Sequence, residues 1–108
     1  METKDRKFVL EKLSNDGLLL QHLSSEFRND REFVTTAVNN NGMSLKHVSP
    51  ELQNDKDIVT AAVKNNGYAF GFASEELQKD HDYIKFLMDN SDLPLIYVNL
   101  LFEDKKNE

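Results

Sequence analysis

The sequence predicts an all-α fold of four tandem 25-residue helical repeats, which form either a short solenoid or a compact helical bundle. One observation behind this prediction is a near-duplication, because EFVTTAVNNNG at 32–42 is followed by DIVTAAVKNNG at 57–67. A second is that aligned aspartates divide the chain, without any insertion, into units 5–29, 30–54, 55–79 and 80–104. A third is that six columns of this alignment are apolar in all four units. Chance composition does not produce such regularity.

The first part of each unit predicts an amphipathic helix. In the second unit the apolar residues recur at helical spacing over about residues 31–40, so one stripe is expected to face the core. Asp30 stands at the N-cap position, where its carboxylate accepts from free backbone amides of the first turn. Gly42 and Gly67 follow Asn-Asn, and we expect a left-handed conformation there to end the helix.

The second part of each unit predicts a shorter helix and a turn. Leu45, Val48 and Leu52 are three and four residues apart, which suits a second helical piece. Ser49-Pro50-Glu51 has the residue types of N-cap, N1 and N2. Adjacent units are therefore expected to stack as helices, on the order of 10 Å apart.

The repeated motif resembles a known family. The pattern D-x-D/E-F/I-V-x-x-A-V-x-N-N-G followed by S-P/E-E-L-Q-N/K-D is similar to the tandem helical repeats of domain-of-unknown-function family 4116, most clearly over residues 29–80. The first unit departs at Glu11-Lys12 and Asp16-Gly17, and the last at Ser91-Asp92 and Leu100-Leu101. The resemblance implies an array of helical repeats, as found in microbial, viral and protist proteins. It implies no activity and assigns no functional residue.

Composition limits the classes of function. The 108 residues have 39% hydrophobic and 30% charged content, so we expect one globular domain over 1–108 with flexible ends at 1–4 and 105–108. A net charge of −6 without basic clusters makes nucleic acid a poor partner and offers an acidic face to a basic protein surface. No apolar run approaches membrane-helix length, and no cysteine is present. A cytoplasmic location is the expectation.

Several polar and aromatic columns are candidates for function. Asparagine recurs in all four units, and its position at the end of each first helix favours a local hydrogen bond to the turn that follows, with a ladder that reads a peptide as the alternative; the column consists of Asn15, Asn40, Asn65 and Asn90. A column of planar side chains is expected to form half-buried rings or part of a partner groove, and its members are His22, His47, Phe72 and Tyr97. The Asp80-His81-Asp82 triplet is explained by helix capping, so we expect no metal site and no cofactor.

The two ends differ from the middle units. Where the middle units carry small residues, the first has Glu11 and Lys12, and a charged first unit is expected to act as a solubilising cap. The last unit has a surplus of apolar side chains, namely Phe86, Leu87, Leu93, Leu100 and Leu101. Three explanations remain for how these side chains are shielded from water: a rearranged last unit packs them inward, a second copy of the chain covers them, or a different protein does.

These patterns predict a non-enzymatic protein–protein interaction module. No nucleophile motif and no phosphate-binding loop is present in the sequence. The expected partner-binding residues are Phe86, Leu87, Leu100, Leu101, His22, His47, Phe72 and Tyr97. A homodimer through the last unit is one form of this prediction. The alternative function is a small acidic inhibitor or effector that binds a basic surface of a host or rival protein.

Overall fold

The computed structural model describes residues 3–102, and every regular element in that range is helical. The α-helices are α1 (Thr3–Asn15), α2 (Ser25–Arg28), α3 (Arg31–Asn40), α4 (Pro50–Gln53), α5 (Lys56–Asn65), α6 (Glu75–Gln78), α7 (His81–Asn90) and α8 (Leu95–Val98). Short 3₁₀ helices cover Gly17–His22, Gly42–His47, Gly67–Phe72 and Asn99–Leu101. The predicted all-α repeat fold is confirmed. The prediction of flexible ends lies outside the described residues except at Thr3 and Lys4, which belong to α1.

Side-chain caps start the helices where the sequence predicts them. Asp30 accepts from the backbone amides of Glu32 and Phe33 at 3.0 and 3.2 Å. Asp55 repeats this arrangement at the start of α5. Ser49 caps α4 by accepting from the amide of Leu52 at 3.3 Å, with proline at the first helical position. Because these groups satisfy amides that lack a partner within the helix, the Asp and Ser positions recur with the helices.

The glycines that follow the long helices serve a different purpose from the one predicted. No glycine in the described chain has positive φ, so the expected left-handed helix ends are wrong. A Cβ on Gly17 would lie 2.2 Å from the Ala37 carbonyl oxygen, and a Cβ on Gly42 would lie 2.2 Å from that of Ala62. Glycine recurs because the backbone of the next unit lies directly against it.

The asparagine column joins neighbouring units. Asn40 Oδ1 accepts from the Gly17 amide at 2.8 Å, and its Nδ2 donates to the Ser14 carbonyl at 3.0 Å. Asn65 in the same way accepts from Gly42 at 2.6 Å. The predicted hydrogen bond to the following turn is therefore wrong, since the bonded turn belongs to the preceding unit. In the first and last units the column makes only bonds within its own helix.

A row of ion pairs runs along the starts of the long helices. Each joins a cation to the N-cap aspartate of the next unit: Arg6 with Asp30 (2.8 Å), Arg31 with Asp55 (2.8 Å) and Lys56 with Asp80 (3.2 Å). Arg6 also lies 4.5 Å from the ring centroid of Phe33 and hydrogen bonds Glu32 at 3.0 Å. Its hydrogen bond to Asp30 lowers the pKa of that carboxyl below the ordinary value of 3.8, although burial acts in the opposite direction.

The units stack into an elongated array. α1 packs on α3 and α3 on α5, and the successive 3₁₀ helices from Gly17–His22 to Gly67–Phe72 form a second row. The extents are 54 × 22 × 18 Å, and the Cα radius of gyration of 14.8 Å exceeds the roughly 13 Å expected of a compact domain of this length. Of the two predicted arrangements, the short solenoid fits these dimensions.

The predicted core columns hold in the two middle units and only in part in the first and last units. Phe33 and Ile58 are buried, whereas Phe8 in the same column is 59% exposed. The Lys12 ammonium lies 5.3 Å from the Phe8 ring centroid. Three further members of the predicted core columns are exposed in the last unit, namely Met88, Leu95 and Phe102.

Candidate functional site

The fourth unit departs from the stack at its junction with the third. By the repeat, Gly67 should lie against the carbonyl of Leu87, yet a Cβ on Gly67 would meet the Asp92 carbonyl oxygen at 2.3 Å. Leu87 stands where Ala37 and Ala62 are buried, and its larger side chain takes a core position in the fourth unit instead. The second residue after the end of α7 is Asp92, whereas the second residue after α3 and after α5 is a glycine. The segment 91–94 therefore occupies the place that a long helix takes at the earlier junctions.

Tyr97 anchors the altered unit. Its ring packs edge-on against Phe70, with centroids 5.5 Å apart, and its hydroxyl donates to the Tyr68 carbonyl at 3.0 Å. Phe70 is a fully buried core residue, so α8 is attached to the array through this contact. The neighbouring Leu95 and Ile96 then face outward.

The outward side of α8 is the most exposed apolar surface of the described chain. Leu95 is 82% and Ile96 67% exposed, although the column of Leu95 is buried in each of the first three units. Sequence reasoning missed both residues, because the repeat pattern placed Leu95 in the core and drew no attention to Ile96. The signal that was available is Pro94 with Asp92, which interrupts the Asn-Gly pattern just before them.

The structure separates the predicted C-terminal binding residues. Leu87 is 0% exposed and belongs to the core, so it lies on no surface. Leu100 and Leu101 are half-buried and pack against the core, as does Leu93. Phe86 alone among them is largely accessible, at 45% exposure. The fourth unit thus turns part of its apolar surplus inward and leaves another part exposed.

The four residues of the predicted ring column differ in their exposure and in their contacts. His22 is exposed, whereas His47 and Phe72 are half-buried. Burial lowers the pKa of His47 below its ordinary value of 6.5, and the cations Lys46 and Arg28 and the nearby His22 act in the same direction. No ring contact in the described chain joins Phe72 to Tyr97. The Tyr97 ring packs against Phe70 instead.

A groove of about 400 Å³ lies between α5 and α7, and Lys56, Asp57, Thr60, Asp82, Tyr83 and Phe86 line it. The rings of Tyr83 and Phe86 stack in its wall, with centroids 6.2 Å apart and planes 13° from parallel. The Tyr83 hydroxyl donates to the Lys56 carbonyl at 3.1 Å and lies 2.7 Å from Thr60 Oγ1. Burial raises the pKa of Tyr83 to about 12, so the hydroxyl stays protonated at neutral pH. The position of Phe86 is Thr36 or Ala61 in the middle units, so the aromatic wall belongs to this junction.

An acidic depression of about 550 Å³ adjoins the groove and shares Lys56 and Asp57 with it. The carboxylates that line it are Asp55, Asp57, Glu76 and Asp80. The backbone amide of Tyr83 lowers the pKa of Asp80 below its ordinary value, with a smaller contribution from Lys56 and against the effect of burial. In the described part of the chain, no three His, Asp or Glu side chains are arranged to hold a metal ion. No described helix is long and apolar enough to cross a membrane.

Two overlapping stretches of the chain, residues 5–53 and 30–78, match the model of a domain of unknown function, DUF4116. The two matches start 25 residues apart, at 5 and at 30, so each spans nearly two of the structural units. No curated protein and no solved structure shows a detectable similarity to this chain.

Proposed function

Because the chain belongs to the DUF4116 family, whose function is unknown, we propose from its geometry that it is a non-enzymatic module that binds another protein through its fourth unit. The observation that carries this proposal is the exposure of Leu95 and Ile96, side by side on α8 of the fourth unit. Apolar side chains exposed next to one another are typical of protein interaction sites. A cytoplasmic setting is part of the proposal and rests on the cysteine-free composition.

Phe86 is the one predicted binding residue that we retain for the fourth unit, apart from the α8 surface. It is accessible and belongs to the same unit. Leu100 and Leu101 support α8 from below, since they pack against the core rather than point outward. We propose that they hold the binding surface in place. A substitution at Leu101 would therefore test folding and binding together, and a test of binding needs a fully exposed position.

Affinity capture from a lysate of the organism that encodes the chain tests the proposal. The tagged full chain is compared with Ile96→Asp and with Phe8→Asp, which makes the same kind of change at an exposed apolar residue of the opposite end. We expect a protein that is retained by the chain and by Phe8→Asp but lost with Ile96→Asp. A partner that binds Ile96→Asp equally well would contradict the assignment to the fourth unit.

A second copy of the chain is the other candidate cover for this surface. Multi-angle light scattering over a wide concentration range separates it from a different protein, because a dimer through α8 doubles the mass in a concentration-dependent way. We expect a monomer, because the proposal assigns the exposed side chains of α8 to a different protein. A dimer that Ile96→Asp dissociates would replace the foreign partner by a second copy.

A further inference from the structure

We propose that the groove between α5 and α7 binds an arginine side chain of the partner protein, with the guanidinium against the Phe86 ring and hydrogen bonded to Asp57 and Asp82. This inference deepens the proposed function and rests on it, since it names the chemistry by which the fourth unit recognises its partner. It differs from the α8 surface, which takes apolar side chains.

The groove has an aromatic wall, which Tyr83 and Phe86 form. Phe86 is stacked on Tyr83 and still leaves nearly half of its surface accessible in the groove. Tyr83 is fixed from behind by Thr60 and by the Lys56 carbonyl, so the ring pair is held in one orientation. A fixed aromatic face attracts a planar cation through the ring quadrupole, at about 0.5–1 kcal/mol in an exposed site.

The charged side chains that line the groove are two carboxylates and one ammonium group. The side chain of Asp57 is almost fully exposed, and Asp82 lines the opposite wall on α7. The one cation that lines the groove, Lys56, is already paired with Asp80 at 3.2 Å. Arg31 lies 3.5 Å from Asp57, but its closer partner is Asp55 at 2.8 Å. The groove therefore presents negative charge beside an aromatic face.

The chain itself shows the arrangement that we infer. At the first junction the Arg6 guanidinium lies over Phe33 and hydrogen bonds to two carboxylates, Asp30 and Glu32. The corresponding positions of the last junction hold Lys56, Tyr83, Asp80 and Asp82, and there the Lys56 ammonium lies 5.5 Å from the Tyr83 ring centroid. Beside them, Phe86, Asp57 and Asp82 offer a second set of one ring and two carboxylates. No residue that lines this second set is an arginine. Arginine suits it better than lysine, since its planar group stacks on a ring and donates to two carboxylates together.

The groove is specific to this junction for a reason visible in the sequence. The middle units have Thr36 and Ala61 where the last has Phe86, so only the fourth unit supplies a ring at this position. At the earlier junctions a glycine lies against the carbonyl of an alanine in the next long helix; here Gly67 is kept, but Leu87 replaces the alanine and the Asp92 carbonyl lies against Gly67 instead. The departure of the fourth unit from the repeat thus creates the groove.

Nuclear magnetic resonance titration of the ¹⁵N-labelled full chain tests the proposal. The probes are blocked pentapeptides with arginine, lysine, neutral citrulline or leucine at the centre of four glycines. We expect saturable shifts, with millimolar affinity, at Lys56, Asp57, Thr60, Asp82, Tyr83 and Phe86. The arginine peptide should bind most tightly and the citrulline peptide should bind about two- to fivefold more weakly or not at all.

Two variants locate the binding. Phe86→Ala should weaken arginine binding by about two- to fivefold. It should fold normally, because Ala61 occupies the same position in the third unit. Asp57→Asn with Asp82→Asn should weaken it by a similar factor and reduce its dependence on salt. Unchanged amide spectra away from α5 and α7 show that the variants are folded.

Three results would overturn the inference: no saturable shift in the groove, equal binding of the citrulline or leucine peptide, or full affinity in Phe86→Ala. None of them bears on the capture experiment with Ile96→Asp, so the proposed function can stand when this inference fails. The reverse holds as well, because arginine binding at the groove does not depend on the exposed residues of α8.

Discussion

Gly42, like Gly17, is a position at which the structure leaves no room for a side chain. A Cβ there would lie 2.2 Å from the backbone oxygen of Ala62, so Gly42→Ala must push two units apart. We expect a loss of roughly 1–3 kcal/mol in the free energy of unfolding, measured by urea denaturation. Gly71→Ala is the matched control, because its Cβ would meet only the end of the Tyr97 side chain at 2.7 Å. Equal losses in the two variants would contradict the close approach of the units.

Asn65 connects two units through both ends of its amide. Asn65→Ala removes its bonds to the Gly42 amide and the Asn39 carbonyl, and we expect a loss of about 1–3 kcal/mol in the free energy of unfolding. Asn15→Ala should cost less, because Asn15 bonds only to Glu11 in its own helix. Thermal and urea unfolding of both variants measure the difference. If Asn15→Ala is as costly as Asn65→Ala, the inter-unit bonds contribute nothing beyond a local one.

The Asp30 carboxylate is expected to make the stability of the protein depend on pH in the acidic range. Its folded pKa lies below 3.8, so the stability that its charge supplies is present above this value and is lost as the pH falls through the lowered folded pKa. Asp30→Asn keeps an N-cap acceptor but removes the charge, and we expect its stability to fall less steeply below about pH 4. Urea denaturation between pH 3 and pH 6 gives both profiles. The exposed Asp89→Asn is the control, and identical profiles for all three proteins would contradict the prediction.

The long helices of the middle units and the short α8 belong to one array but are held by different contacts. α3 and α5 have capping aspartates, a glycine approach and an asparagine bridge to their neighbours. α8 has no side-chain cap, and its contact with the third unit passes through Tyr97. Its attachment is therefore the weaker one.

Amide hydrogen exchange should report this difference between elements. We expect the amides of α8 and of the 3₁₀ helix Asn99–Leu101 to exchange faster than those of α3 and α5, because fewer inter-unit contacts must open. Tyr97→Phe, which removes the hydrogen bond to Tyr68, should increase exchange in α8 further and leave α3 unchanged. Uniform protection across the four units would show that the last unit is as firmly held as the others.

The whole molecule is an array whose two ends are chemically unlike. At the first end Lys12 and Leu19 stand where the middle units bury small residues, and the Lys12 ammonium lies near the exposed Phe8 ring. At the other end α8 leaves apolar side chains uncovered. The predicted charged cap at the first end stays a prediction, and the position of Lys12 beside Phe8 is in keeping with it.

Small-angle scattering in solution checks the shape of the whole chain. A solenoid with extents of 54 × 22 × 18 Å should give an elongated distance distribution and a radius of gyration near the Cα value of 14.8 Å. A closed bundle of the same length would give about 13 Å and a symmetric distribution. The second result would contradict the stacked arrangement of the units.

Much of this fold could be predicted because the same pattern of apolar and capping residues recurs along the sequence. The start of α3 and α5 at Asp30 and Asp55 follows from capping chemistry, and their inward stripes follow from helical spacing. Such features depend on neighbours along the chain, which a repeat displays directly. The repeat pattern also led to errors. Its apolar columns predicted that Leu95 and Met88 are buried, whereas both are exposed in the fourth unit.

The sequence by itself determined the helical class, the 25-residue period and the caps, because these depend on interactions within a few residues. Only the tertiary structure decided why glycine and asparagine recur, since Gly42 and Asn65 act between units through contacts more than 20 residues apart. It also decided which apolar residues of the last unit are buried. Leu87 fills the core while Leu95 faces outward, because the room for a side chain depends on how closely two backbones approach in space.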